Sequence, residues 1–116
     1  MSCVIHHIDV SQREHILKEC RRVLKVGGHI IIFEHNPYNP LTLKMVKECP
    51  FDEGVVLIKS CDLRKMLIRA GFDTKIKISY TIFMPRKRLF NKMIWLEKYL
   101  KWCKIGGQYY CIATID

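Results

Sequence analysis

The segment Arg21–Pro40, RRVLKVGGHIIIFEHNPYNP, constrains the fold more than any other part of this 116-residue chain. It reads in order as the end of a helix, a glycine turn, a buried strand and a polar loop. Four consecutive apolar residues, Ile30–Phe33, suit a strand covered on both faces, as in a parallel sheet flanked by helices. Open sheets of that kind hold their ligands at the carboxyl ends of the strands. The polar residues that follow Phe33 are therefore the first candidates for chemistry.

The flanking sequence fits the same architecture. Ser2–Ile5 is a short apolar stub, consistent with the last residues of a strand. Ser11–Glu14 fits a capping box, and Ile16, Cys20, Val23 and Leu24 then follow helical spacing along one face. Gly27 and Gly28 are placed to stop that helix. Stub, helix and strand together make a βαβ unit.

Beyond it, Asn36–Pro40 must be a loop, with two prolines and two asparagines in five residues. Leu41–Cys49 reads as a short helix broken by Cys49–Asp52. Ser60 is placed to cap a second amphipathic helix, with Leu63, Met66, Leu67 and Ala70 inward and Gly71 at its end.

Lys75–Met84 alternates as a strand, with Ile76, Ile78, Tyr80 and Ile82 on one face, and Pro85 ends it. Leu89–Cys103 reads as a helix with two apolar stripes, Leu89/Met93/Leu96/Leu100 and Trp95/Tyr99/Trp102. Gln108–Ile115 is the last strand. The expected fold class is α/β: one domain over residues 1–116, a partial Rossmann-like three-layer sandwich whose mixed sheet ends in an antiparallel strand pair.

Charge is unevenly placed. The net charge is +9, yet residues 1–58 hold seven Lys/Arg and seven Asp/Glu. The excess lies in residues 59–116, with thirteen basic against four acidic side chains. A basic half attracts anionic surfaces without naming one; a solvated face is the plainer explanation, and no specific nucleic acid is implied. Six scattered cysteines without a C-x-x-C pair point to free thiols in a reducing cytoplasm. The N-terminus lacks the pattern of a signal peptide, and no apolar run is long enough to span a membrane.

Four short stretches give the chain a family likeness. Cys3–Ile8 (CVIHHI), Arg22–Gly28 (RVLKVGG), Phe33–Pro37 (FEHNP) and Ala70–Phe72 (AGF) stand in the order found in class I S-adenosylmethionine (SAM)-dependent methyltransferases. The chain resembles the C-terminal half of that family, with Val26 where proline is usual. The resemblance implies a methyltransferase fold with SAM as cofactor. The family binds SAM at a glycine-rich loop after its first strand, and no G-x-G-x-G occurs here. That departure implies a truncated member with weak or no cofactor binding of its own. It also implies association with itself or with a complementary N-terminal half.

The resemblance places His6 and His7 beside the cofactor, and Glu34 and His35 at the methyl-transfer site. If the acceptor is a hydroxyl or amine, Glu34 or His35 could take its proton. Asn36 and Tyr38 are the candidate substrate contacts. The same residues equally suit a strand cap and a fixed loop. His6, His7, Glu34 and His35 could converge at one edge and bind a metal, as in a metal-binding hydrolase, but no recognised ligand spacing supports this, so no metal is expected.

A second reading comes from the Leu89–Cys103 segment. Arg86–Arg88 precede it, and Lys92, Lys98, Lys101 and Lys104 accompany Trp95 and Trp102. That composition suits a non-catalytic module binding an anionic partner or membrane surface. Core packing of the same stripes is the plainer expectation.

Overall fold

The computed structural model describes residues 1–73, 75–82, 95, 96 and 98–115. Its elements are α1 (Val10–Val23), β1 (His29–His35), α2 (Pro40–Glu48), α3 (Ser60–Arg69), β2 (Lys77–Thr81) and β3 (Gln108–Thr114). Two 3-10 turns, Ile5–His7 and Pro50–Asp52, lie in the connections. The sheet order is β1-β3-β2, with β3 antiparallel to both neighbours. At the free edge of β1, Ser2 forms a parallel bridge with Phe33.

That bridge is tight. Met1 and Cys3 enclose Phe33 through Phe33 N–H to Met1 O (2.9 Å) and Cys3 N–H to Phe33 O (2.8 Å). The Met1 ammonium donates to Ile31 O at 2.7 Å. A parallel stub, then β1, then an antiparallel pair is the mixed sheet expected from the sequence.

One face of the sheet carries the core. Ile30, Ile32, Tyr109, Cys111, Ala113 and Tyr80 pack against Leu17 of α1 and against Leu63 and Leu67 of α3. Burying a side chain of this size contributes about 1.5–3 kcal/mol. Tyr109 also donates its hydroxyl to Ile58 O at 2.8 Å, so its polar end is satisfied inside the core.

Several expectations are corrected. β1 alternates between buried and exposed residues instead of being covered on both faces. Ile31 and Phe33 on its second face are 44% and 36% exposed, and Phe33 meets the ring of Tyr110 there.

Helix α1 is capped by Asp9, whose Oδ1 accepts Ser11 N–H at 2.8 Å and the Ser11 hydroxyl, so Ser11 is one of its donors. Its inner stripe is Arg13, Leu17, Cys20 and Leu24, while Val23 is 69% exposed. The helix stops at Val23, ahead of the glycine pair. Gly27 instead turns the chain at φ +76° into β1.

Lys59, not Ser60, is the N-cap of α3, without a side-chain bond. Ser60 is buried, with its hydroxyl 2.7 Å from that of Tyr80. Gly71 does end α3, at φ +92°. A side chain there would meet Arg21, whose Nε donates to Gly71 O at 2.6 Å.

β2 stops at Thr81 because Ile82 turns to φ +59°, a conformation that breaks a strand. The expected strand end at Met84 and Pro85, the Arg86–Arg88 cluster, Lys92 and the Leu89/Met93 part of the apolar stripe lie outside the described residues. Between Trp95 and Gly107 the described residues form short turns. Leu96 and Leu100 are half-buried, whereas Trp95, Tyr99 and Trp102 point outward, so this second stripe does not join the core. Among the described residues no helix is long and apolar enough to cross a membrane.

Candidate functional site

The site forms where the stub and β1, running parallel, end side by side. Cys3, at φ 50°, turns the chain out of the stub and into the 3-10 turn Ile5–His7. Glu34, the last residue of β1 on its buried face, fastens this turn. Its Oε1 accepts Ile5 N–H at 2.8 Å, and its Oε2 lies 2.5 Å from His6 Nδ1. Both His6 and Glu34 are buried. A buried carboxylate needs such partners, since unpaired burial of a charge is prohibitively unfavourable.

Arg13 ties the turn to a second loop. Its Nε donates to Ile8 O at 2.9 Å, and one terminal nitrogen donates to His6 O at 3.3 Å and Val56 O at 2.7 Å. That loop follows the Pro50–Asp52 turn, which brings the Asp52 carboxylate to the histidines. Asp52 Oδ1 is 3.3 Å from His7 Nε2 and 3.6 Å from His6 Nε2. The His6 and His7 rings are 4.3 Å apart between centroids, and His35 lies 5.2 Å from His6.

Two ring nitrogens in this group, His6 Nε2 and His35 Nδ1, are buried without a hydrogen-bond partner. Burial, and next the neighbouring His6, hold the His35 pKa below the ordinary histidine value, which favours its neutral form.

Asn36 braces the loop that follows β1. Its carboxamide nitrogen donates to Lys104 O at 2.7 Å and Gly106 O at 2.6 Å, and its oxygen accepts Tyr38 N–H at 3.1 Å. The side chain is buried and fully engaged in joining the β1 loop to the turn before β3. Tyr38 is exposed, with the Lys59 ammonium 5.9 Å from its ring centroid.

The structure thus gathers His6, His7, Glu34 and His35, uses Asn36 as a brace and leaves Tyr38 at the rim. Sequence reasoning missed Asp52 and Arg13. Arg13 had a signal, since it continues the Leu17 stripe one turn earlier. Asp52 had none that would pair it with a distant histidine. A cleft of about 320 Å³ is lined by His6, His7 and Val56, and another of about 690 Å³ runs between Leu43, Val46 and Asp52.

Similarity to known proteins is found at the level of the fold. A family profile described as a methyltransferase domain matches residues 1–32. Among curated proteins none matches the sequence significantly.

Three solved structures are similar in fold. A SAM-dependent methyltransferase from Archaeoglobus fulgidus has a TM-score of 0.72 and 18% identity, over 98% of this chain and 57% of that one. One from Thermotoga maritima, described as a possible histamine N-methyltransferase, has 0.73 and 21%, over 100% of this chain and 54% of its own. One from Mesorhizobium loti has 0.57 and 19%, over 97% and 59% respectively.

This chain thus spans only 54–59% of the length of those structures. The sheet order, the turn at His6–His7 and these matches lead to one conclusion: the chain carries a fragment of the class I SAM-dependent methyltransferase fold.

Proposed function

We propose that this chain supplies the carboxy-terminal wall of a SAM-dependent methyltransferase site, and that alone it binds SAM weakly or not at all. The observation that supports this reading is the meeting of the His6–His7 turn with Glu34 and His35 at the ends of two adjacent parallel segments. Methyl transfer is an in-line displacement at a sulfonium, so its catalysis is chiefly alignment of acceptor and donor.

In this reading His35 takes the proton of a hydroxyl or amine acceptor, because its neutral form is favoured. Glu34 positions rather than reacts, since both its oxygens are already engaged. His6 and His7 border the donor, Tyr38 contacts the acceptor, and Asn36 shapes the loop between them.

The residues present do not fit SAM by themselves. The 116 residues contain no G-x-G-x-G motif, whose backbone amides would cradle the cofactor. A complementary N-terminal piece, or a second copy, would pair with the edge at Met1–Cys3 and cover Ile31 and Phe33. All six cysteines are free, in keeping with a reducing cytoplasm.

Calorimetry tests the first point: SAM titrated into this chain alone should give no micromolar binding, and micromolar binding would overturn the proposal. Light scattering tests the second. A strictly monomeric profile over a wide concentration range would count against self-association.

A second reading has its own support. Trp95, Tyr99 and Trp102 are exposed beside Lys98, Lys101 and Lys104, and the Lys98 ammonium lies 4.8 Å from the Tyr99 ring centroid. Aromatic side chains among lysines suit the interface of an anionic membrane. Co-sedimentation with phosphatidylserine vesicles should fall with salt and with substitution of Arg86, Lys87 and Arg88, or of Trp102. Equal binding to neutral phosphatidylcholine vesicles would remove this reading.

A further inference from the structure

We propose that His6 Nε2, His7 Nε2 and a carboxylate oxygen of Asp52 form a binding site for a divalent transition-metal ion, zinc in the first instance. Their ligand atoms all lie within 4.8 Å of one another. Around a tetrahedral zinc with bonds of about 2.0–2.1 Å, neighbouring ligand atoms are about 3.3–3.5 Å apart. The contacts of Asp52 with His7 (3.3 Å) and with His6 (3.6 Å) already match that spacing. His7 is half-exposed, so a small ring rotation can close the remaining edge.

The strongest evidence is the state of His6. Its Nε2 is buried and lacks a hydrogen-bond partner, because 3.6 Å to Asp52 is too long for one. A buried nitrogen left unpaired costs about 1–3 kcal/mol. The opposite ring nitrogen, Nδ1, bonds the Glu34 carboxylate. Placing the proton on Nδ1 leaves the Nε2 lone pair aimed at Asp52.

A carboxylate behind a histidine is the usual outer support of a metal-ligating imidazole. Here the support is itself anchored, since Glu34 also holds Ile5 N–H. Arg13 fixes the two loops relative to each other through His6 O and Val56 O. The donor atoms are thus pre-arranged before any ion arrives.

Two imidazoles and one carboxylate favour zinc, cobalt or nickel over magnesium or calcium, which prefer oxygen donors. Three protein ligands leave at least one coordination position open. That position is accessible, because His6 and His7 line the cleft of about 320 Å³ and Asp52 lines the neighbouring one. Residue spacing names His6 and His7 as possible ligands but does not reveal the set, because Asp52 lies in a different loop from the histidine pair. The inference does not depend on methyl transfer.

Titration of the full chain with Co²⁺, followed by displacement with Zn²⁺, tests the site. A single equivalent should develop the visible bands of four- or five-coordinate cobalt, with micromolar or tighter affinity, and zinc should abolish them. His7→Ala and Asp52→Asn should each weaken zinc binding by at least about tenfold, and Glu34→Gln by about 10–100-fold. His15→Ala, on the exposed face of α1, should leave it unchanged.

Circular dichroism of each variant separates loss of a ligand from loss of fold, and His7→Ala removes a half-exposed side chain that the core does not use. Unchanged affinity in His7→Ala and Asp52→Asn would overturn the assignment. So would absence of stoichiometric binding, or the near-ultraviolet charge-transfer band of a cobalt–thiolate bond, which would place the ion on cysteines.

Discussion

Glu34 and His6 come from different parallel segments, yet one carboxylate sets both the ring of His6 and the backbone turn that carries it. Removing that carboxylate leaves two buried donors unsatisfied. Glu34→Ala is expected to lower unfolding free energy by about 3 kcal/mol in urea denaturation, and Glu34→Gln by distinctly less. Equal stability of Glu34→Ala and the parent chain would mean that the pair is not a structural anchor.

Arg13 joins three backbone carbonyls from two loops. Arg13→Met keeps most of the aliphatic stem but loses the bonds, at about 2 kcal/mol. Hydrogen exchange should accelerate at residues 5–8 and 55–57 before it does so in β3. Uniform acceleration across the chain would show that Arg13 supports global stability alone.

His35 makes stability depend on pH. Its folded-state pKa lies below the reference of 6.5, because burial and His6 disfavour the charged form. Between that lowered value and 6.5 the unfolded chain binds a proton that the folded chain does not. Stability therefore rises with pH across this window and is lost as pH falls below 6.5. His35→Gln should flatten this acid limb in denaturation curves collected from mildly acidic to neutral pH. Parallel curves for the two proteins would rule out the effect.

Leu17 and Val23 separate the two possible inner faces of α1. Leu17 is fully buried, so Leu17→Ala should cost about 2–5 kcal/mol. Val23→Ala, at an exposed position, should stay within about 0.5 kcal/mol. Reversed magnitudes in thermal denaturation would mean that α1 packs through the other face.

Local chemistry was legible in the sequence, and pairings across the fold were less so. The strand at Ile30–Phe33, the stop at Gly71 and the polar group at the end of β1 follow from periodicity, glycine conformation and strand polarity. Reading α1 from Ile16 instead of Leu17 rotated its face, because an arginine inside the true stripe disguised it. Arg13 is tolerated there because its guanidinium reaches three carbonyls. Ile31 and Phe33 read as buried because an apolar run does not reveal whether a second layer lies over it. Asp52 could not be placed at all, since nothing local encodes the approach of one loop to another.

The bonding of Met1 to β1 has a practical outcome for anyone making this protein. The backbone there is already in strand register, with the amino group on Ile31 O and the carbonyl on Phe33 N–H. A tag or fusion joined ahead of Met1 would not simply trail into solvent. Its last residues would be led along the free edge toward Ile30 and His29, as added strand. A glycine- and proline-containing spacer at that junction would interrupt the lengthened edge and keep the tag from becoming part of the sheet.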